Sequence, residues 1–139
     1  MKECKPQSTP MVTRQVKNRN NKVKLHTEHS ESIDEIKRVP YREAIGSLMY
    51  LANATRPDIA YAVNYLARKQ LEPTEDDWND VKRIFRYLRR STDLGIKFTS
   101  NSEQLEALTD SSFRDCENLT STGGYVIRLF GDTIAWRSH

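Results

Sequence analysis

The chain has 139 residues, of which 37% are hydrophobic and 29% charged, with a formal net charge of +3. That length suits one domain and excludes two independent cores, and the modest apolar fraction assigns part of the chain to a solvated tail, leaving an ordered core of roughly a hundred residues. The net charge alone does not establish nucleic-acid binding, so only its distribution is informative. Cys4 and Cys116 are the only cysteines, one in a polar tail and one in a predicted loop, so there is no disulfide framework or zinc spacing to read. The sequence has neither a signal-peptide apolar region nor a run near the length that spans a bilayer. The expectation is a soluble protein of the reducing cell interior, cytoplasmic or nuclear, with no membrane partner.

Residues 1–38 show no sustained apolar period, and the segment from Arg14 to Lys24 is basic and rich in Asn. Such a composition buries too little surface to offset its ordering entropy, which predicts a flexible basic linker. His26 and His29 are two ligands at most and make no metal site there. From Pro40, the residues Ala44, Ile45, Leu48, Leu51 and Ala52 recur at steps of three and four, predicting an amphipathic helix that ends at 53–56. Pro57 fits the first turn of a second helix, with Thr55 as its cap and Ile59, Ala62, Val63 and Leu66 as its buried stripe. These two helices are expected to pack as a hairpin. A third helix starts after Pro73, where Thr74 and Asp77 form a capping-box pair, and Trp78, Val81, Phe85 and Leu88 mark its buried side.

At Leu94 the period changes to two. Leu94, Ile96 and Phe98 alternate as a half-buried strand requires, residues 104–110 continue the sheet, and Tyr125, Ile127 and Leu129 lead into a hairpin turned at Gly131-Asp132. The fold class is α+β: a three-helix segment, then a short, mainly antiparallel sheet, with a disordered N-terminal tail.

Two features could carry chemistry. At about 100° per residue, Lys82, Arg83, Arg86, Arg89 and Arg90 fall within one arc of about 120° on the third helix, beside its apolar stripe. A cationic arc of this kind suits a phosphate backbone, where each neutralised phosphate releases counterions; a solubilised helix face with a dipole-favoured basic end is the equally common alternative. Asp110 ends a predicted strand on which Glu106, Leu108 and Asp110 share a side. It is either a strand-end turn former, the commoner case, or an edge carboxylate open to a metal. Asp115 and Glu117, in the loop that follows, read as solvated. Tyr50, Tyr61, Tyr65, Tyr87 and Trp136 lie at core-like spacings and none is assigned to a ligand.

The combination of Tyr41-Arg-Glu-Ala-Ile-Gly-Ser-Leu-Met-Tyr50, Arg56-Pro-Asp-Ile59, Trp78 with Lys82-Arg-Ile84, the stretch Leu105 to Phe113 and Ser121-Thr-Gly-Gly-Tyr125 resembles the Pol polyprotein of copia-type retrotransposons. The span is the one where reverse transcriptase gives way to ribonuclease H. That resemblance implies a helical thumb or connection-like region at 39–92 and an incomplete ribonuclease H-like sheet at 93–139, behind the linker at 1–38. It also implies that Asp110 is the first carboxylate of a site for two Mg2+ ions whose other ligands come from a downstream helix and strand. The expected product is a catalytically incomplete fragment with weak, electrostatic affinity for RNA–DNA or DNA duplexes and no stably bound Mg2+ of its own. The alternatives are a fragment that docks on intact Pol subunits and a truncated reading of an active enzyme. Ser111 and Ser112, where that family commonly carries Asp-Ala, and a shorter loop before Ser121 depart from the pattern.

Overall fold

The structure, a computed structural model, describes residues 5–12, 39–112 and 121–139. Cys4, Cys116, His26, His29, Asp115, Glu117 and the basic run at 14–24 lie outside them. Helix α1 spans Tyr41–Ala54, a 3-10 turn spans Pro57–Ile59, α2 spans Ala60–Ala67 and α3 spans Glu75–Arg90. Strands β1 (Leu105–Ser112), β2 (Thr122–Leu129) and β3 (Asp132–Ser138) follow as an antiparallel sheet in the order β1-β2-β3. Three helices followed by an antiparallel sheet is the expected fold class.

The core belongs to the helices. Tyr41, Ile45, Leu48 and Ala52 of α1 meet Ile59, Ala62, Val63 and Leu66, and Val81 and Ile84 of α3 complete the cluster. Each fully buried Leu or Ile contributes about 1.5–3 kcal/mol over its exposed state, so these residues dominate the stability of the helical half. The α1 stripe differs in phase from the expected one. Leu51 is exposed, because Tyr41 takes the inward position: its hydroxyl donates to the Leu66 carbonyl at 3.0 Å and its ring lies 6.3 Å from Trp78. On α3, Trp78, Phe85 and Leu88 only flank the core, while Ile84 and the carboxylate of Asp77 are inside it.

Helix ends are set by polar contacts. Thr74 Oγ1 accepts from the Asp77 amide at 3.2 Å and the Asp77 carboxylate accepts from the Thr74 amide at 2.9 Å, the expected capping box. Lys69 Nζ donates to the other Asp77 oxygen at 2.8 Å, which leaves that buried carboxylate fully partnered. Thr55 does not cap α2. It closes α1 instead, its amide donating to the Leu51 carbonyl, and the residue before the 3-10 turn is Arg56.

Arg56 is buried and joins elements distant in sequence. Its Nε and Nη2 take the two oxygens of Asp58 at 2.9 and 2.7 Å, while Nη1 and Nη2 donate to the carbonyl and hydroxyl of Ser91 at 3.0 and 2.6 Å. Tyr87 donates its hydroxyl to Asp58 at 2.7 Å, with its ring beneath the guanidinium. This planar fork ties the turn before α2 to the C-terminal end of α3.

Residues 94–98 form no strand, contrary to their alternation. Leu94 and Phe98 are exposed, since an alternating segment becomes a strand only when another strand satisfies its backbone. The chain is diverted at both ends: the Leu94 amide donates to the Ser91 carbonyl, and the Asp132 carboxylate accepts from the amides of Thr99 and Ser100 at 2.6 and 2.8 Å. The hairpin turn is Phe130-Gly131, with φ of 56° and 87°, and Leu129 pairs with Asp132. Two successive positive φ values define the loop that matches strand twist; Gly131 adopts them freely, whereas Phe130 carries a cost of about 1–2 kcal/mol.

β1 is exposed at every position. The sheet attaches to the helices through β3, where Trp136 Nε1 donates to the Ala52 carbonyl and Asn64 Nδ2 donates to the Ser138 carbonyl, both at 2.6 Å.

In hydrogen exchange, amides buried in α1 and α3 should outlast those of β1 by orders of magnitude, because among the described residues β1 pairs along one edge and is exposed at every position; equal protection in a monomer would contradict this. Burial raises the carboxyl pKa of Asp58, but hydrogen bonds from Arg56 and Tyr87 and the charge of Arg56 outweigh it and hold that carboxyl below its ordinary value. For Asp77 the same burial is overcome by Lys69 and Thr74. A depressed folded value contributes stability that is complete above the unfolded carboxyl pKa of about 4 and is lost as pH falls through the lower folded value. Urea denaturation should therefore show a steep loss below about pH 4, and Arg56→Ala should cost about 2–3 kcal/mol near neutrality by stranding Asp58 and Ser91. A destabilisation under 0.5 kcal/mol, roughly that of an ordinary surface change, would remove Arg56 from its structural role.

Candidate nucleic-acid interface

The capping box fixes where α3 begins, and Val81 and Ile84, both with no exposure, fix which way it faces. A helix so constrained projects Lys82, Arg83, Arg86, Arg89 and Arg90 away from the core on one side. All five lie within the single continuous helix Glu75–Arg90. Arg89 and Arg90 are exposed at its C-terminal end, where the helix dipole favours cations, and Lys82, Arg83 and Arg86 are half-buried. Arg86 Nε is buried and finds no hydrogen-bond partner among the described residues.

Arg83 is engaged. Its Nη2 donates to Thr9 Oγ1 at 3.0 Å and its Nε to the Thr9 carbonyl at 3.2 Å. Met11 packs against the helical core. Within the expected basic linker, then, residues 5–12 run against α3.

Asp110 stands elsewhere. It lies within β1 rather than at its end, opposite Gly124 of β2, and lines a shallow depression of about 410 Å³ with Tyr61 of α2, Ser112, Thr122 and Arg137. Strand alternation puts Glu106 and Leu108 on the same side as Asp110, as expected. Among the described residues no group of three or more His, Cys, Asp or Glu could hold a metal ion, so they do not by themselves fit a pair of magnesium ions, which several carboxylates must hold about 3.5–4 Å apart. The structure thus sets the cationic arc on α3 and the carboxylate on β1, beside α2.

Of the aromatic residues, Tyr87 belongs to the Arg56 network and Trp136 anchors β3. Tyr65 lies under Lys69. Tyr50 and Tyr61 are exposed, against the expectation of core. The residues that sequence reasoning missed are Arg56, Tyr41 and Asp132. Arg56 left one signal, an arginine flanking a helix-starting Pro57 with an acid two residues on. No helix is long and apolar enough to cross a membrane among the described residues.

Comparison with known proteins gives several relatives. The secreted RxLR effector protein 161 of Plasmopara viticola is 38% identical over 105 residues, covering 74% of this chain and 74% of that protein. The retrovirus-related Pol polyprotein from transposon RE2 of Arabidopsis thaliana is 39% identical over 140 residues, and that from transposon TNT 1-94 of Nicotiana tabacum is 36% identical over 139. Each of the two covers 99% of this chain, which spans 9% and 10% of their respective lengths. No family model matches the chain, and no solved structure does.

Proposed function

The chain belongs to the Pol polyproteins of copia-type retrotransposons, and we propose that it is a reverse transcriptase–ribonuclease H segment that grips nucleic-acid duplexes through α3. The observation that carries this reading is the single face of Lys82, Arg83, Arg86, Arg89 and Arg90 on a helix whose other side is locked into the core. A rigid row of cations replaces the counterions of a phosphate backbone without reading base sequence. RNA–DNA and DNA duplexes present that backbone equally, and the compartment for such contact is the cytoplasm or nucleus.

Phosphodiester hydrolysis is not part of the proposal for this chain acting alone. Asp110 would be one ligand in a magnesium site that needs further carboxylates to generate the nucleophile and stabilise the leaving oxygen. A second reading rests on β1, whose Leu105 and Leu108 are 68% and 57% exposed: an uncovered strand can dock on intact Pol subunits by edge pairing.

Duplex binding measured by fluorescence anisotropy should be sequence-independent and fall steeply with salt. Arg86→Ala with Arg89→Ala should flatten the slope of log affinity against log salt by roughly 0.9 for every phosphate that the arc no longer neutralises. An unchanged slope would make the arc a solvated face and favour the docking reading. In a hybrid-cleavage assay with magnesium or manganese, the chain and its Asp110→Asn variant should both be silent. Cleavage that the substitution abolishes would overturn the non-catalytic part of the proposal.

A further inference from the structure

The contact between Thr9 and Arg83 presents two oxygens of one residue to two donors of one guanidinium, the fork by which arginine takes up carboxylates and phosphates. Thr9 is exposed. Of the five prolines in the sequence, only Pro10 follows a hydroxyl residue. Residues 8–11 form an exposed to half-buried bend rather than part of a helix or strand, and a hydroxyl followed by proline outside regular structure is the local pattern that proline-directed protein kinases accept. Met11, packed on the core, keeps this segment beside α3. Lys82 immediately precedes Arg83, and Arg86 follows one turn later on the same arc.

We propose that Thr9 is a phosphorylation site and that its phosphate, held by Arg83, turns off the cationic face of α3. The second half rests on the duplex-binding reading given above. In the transfer, a bond forms between Thr9 Oγ1 and the terminal phosphorus of a nucleoside triphosphate. The bond from that phosphorus to the diphosphate leaving group breaks, and the hydroxyl proton passes to the kinase's base. The product carries a charge of about −1.5 to −2 and three strong acceptor oxygens where a hydroxyl stood. The hydroxyl that accepts one bond from Arg83 is thereby replaced by a group that competes with a nucleic-acid phosphate for the same donors. Because the segment is already seated on α3, pairing needs no large movement of the chain.

The whole chain would be treated with a proline-directed kinase and ATP and mapped by mass spectrometry, with Thr9→Ala as control. One phosphate at Thr9, absent from the control, is expected; no incorporation at Thr9 would overturn the proposal. By phosphorus NMR, the phosphothreonine should titrate below its ordinary value of about 6 and return toward it in Arg83→Gln. The same titration in both proteins would dissociate the phosphate from Arg83 and overturn the pairing. Duplex affinity of the phosphorylated chain should fall roughly tenfold for each backbone phosphate displaced at ~0.1 M salt. Undiminished affinity would overturn the regulatory step. Failure of the unmodified chain to bind duplex would instead bring down the interface reading, with the phosphate titration still deciding whether Arg83 holds phosphothreonine.

Discussion

The buried guanidinium of Arg56 is the constraint on which the helical half depends. Apolar burial draws α1, α2 and α3 together, but it is non-directional and tolerates sliding and rotation. The planar fork of Arg56 does not. By filling both oxygens of Asp58 and both the carbonyl and hydroxyl of Ser91, it sets the end of α3 against the start of the 3-10 turn. Ser91 is then fixed as the point from which the chain leaves the helices. At the other end of α3, Asp77 serves a similar purpose with Thr74 and Lys69. The helix is held by a charge-assisted contact at each terminus and by Val81 and Ile84 between them.

This explains why the same helix can both build the core and present cations. An amphipathic helix free to roll would average its basic face over many orientations, and would forfeit part of any backbone contact to ordering entropy at each encounter. α3 cannot roll without breaking the contacts of buried Asp77 with Lys69 at one end and of Arg56 with Ser91 at the other. The direction of its cationic arc is therefore set by the fold, and Arg83 within that arc is held by Thr9.

The sequence exposes most of the helical half because the apolar periodicity, the proline at the start of a helix and the Thr74–Asp77 box are local signals. The cationic arc is likewise readable from spacing within one helix. What escapes is non-local. Nothing near Arg56 announces that its partners include Ser91, 35 residues on, and nothing near Leu94 announces that its alternation will find no strand to pair with. The phase of α1 differs from the one that Ala44 and Leu51 suggest, because Tyr41 hides its polar hydroxyl against a carbonyl of another helix and so behaves as a core residue. The turn falls one residue earlier than expected for a related reason: Asp132 looks like a turn former, yet its carboxylate is used to bend a different segment, residues 99–100. For Asp110, strand and facing are legible, whereas any chemical role depends on partners that spacing does not supply.

The sheet illustrates how differently the two halves are secured. Among the described residues it contributes no member of the buried apolar cluster, and β3 holds it to the helices by an indole and an amide each donating to a carbonyl across the boundary. A net hydrogen bond contributes about 0.5–1.5 kcal/mol, so these two contacts orient the hairpin without matching the stability of the helical core. β1 is one strand further out, joined only to β2 in the sheet order. Stability therefore declines outward from the helices through β3 and β2 to β1, and Asp110 sits on the strand where that decline ends. Asp110 thus stands on a strand exposed at every position, whereas the arginines of α3 stand on a helix anchored by Val81 and Ile84 in the core. The difference in support between the two follows from where the buried apolar cluster lies, within the helices and not in the sheet.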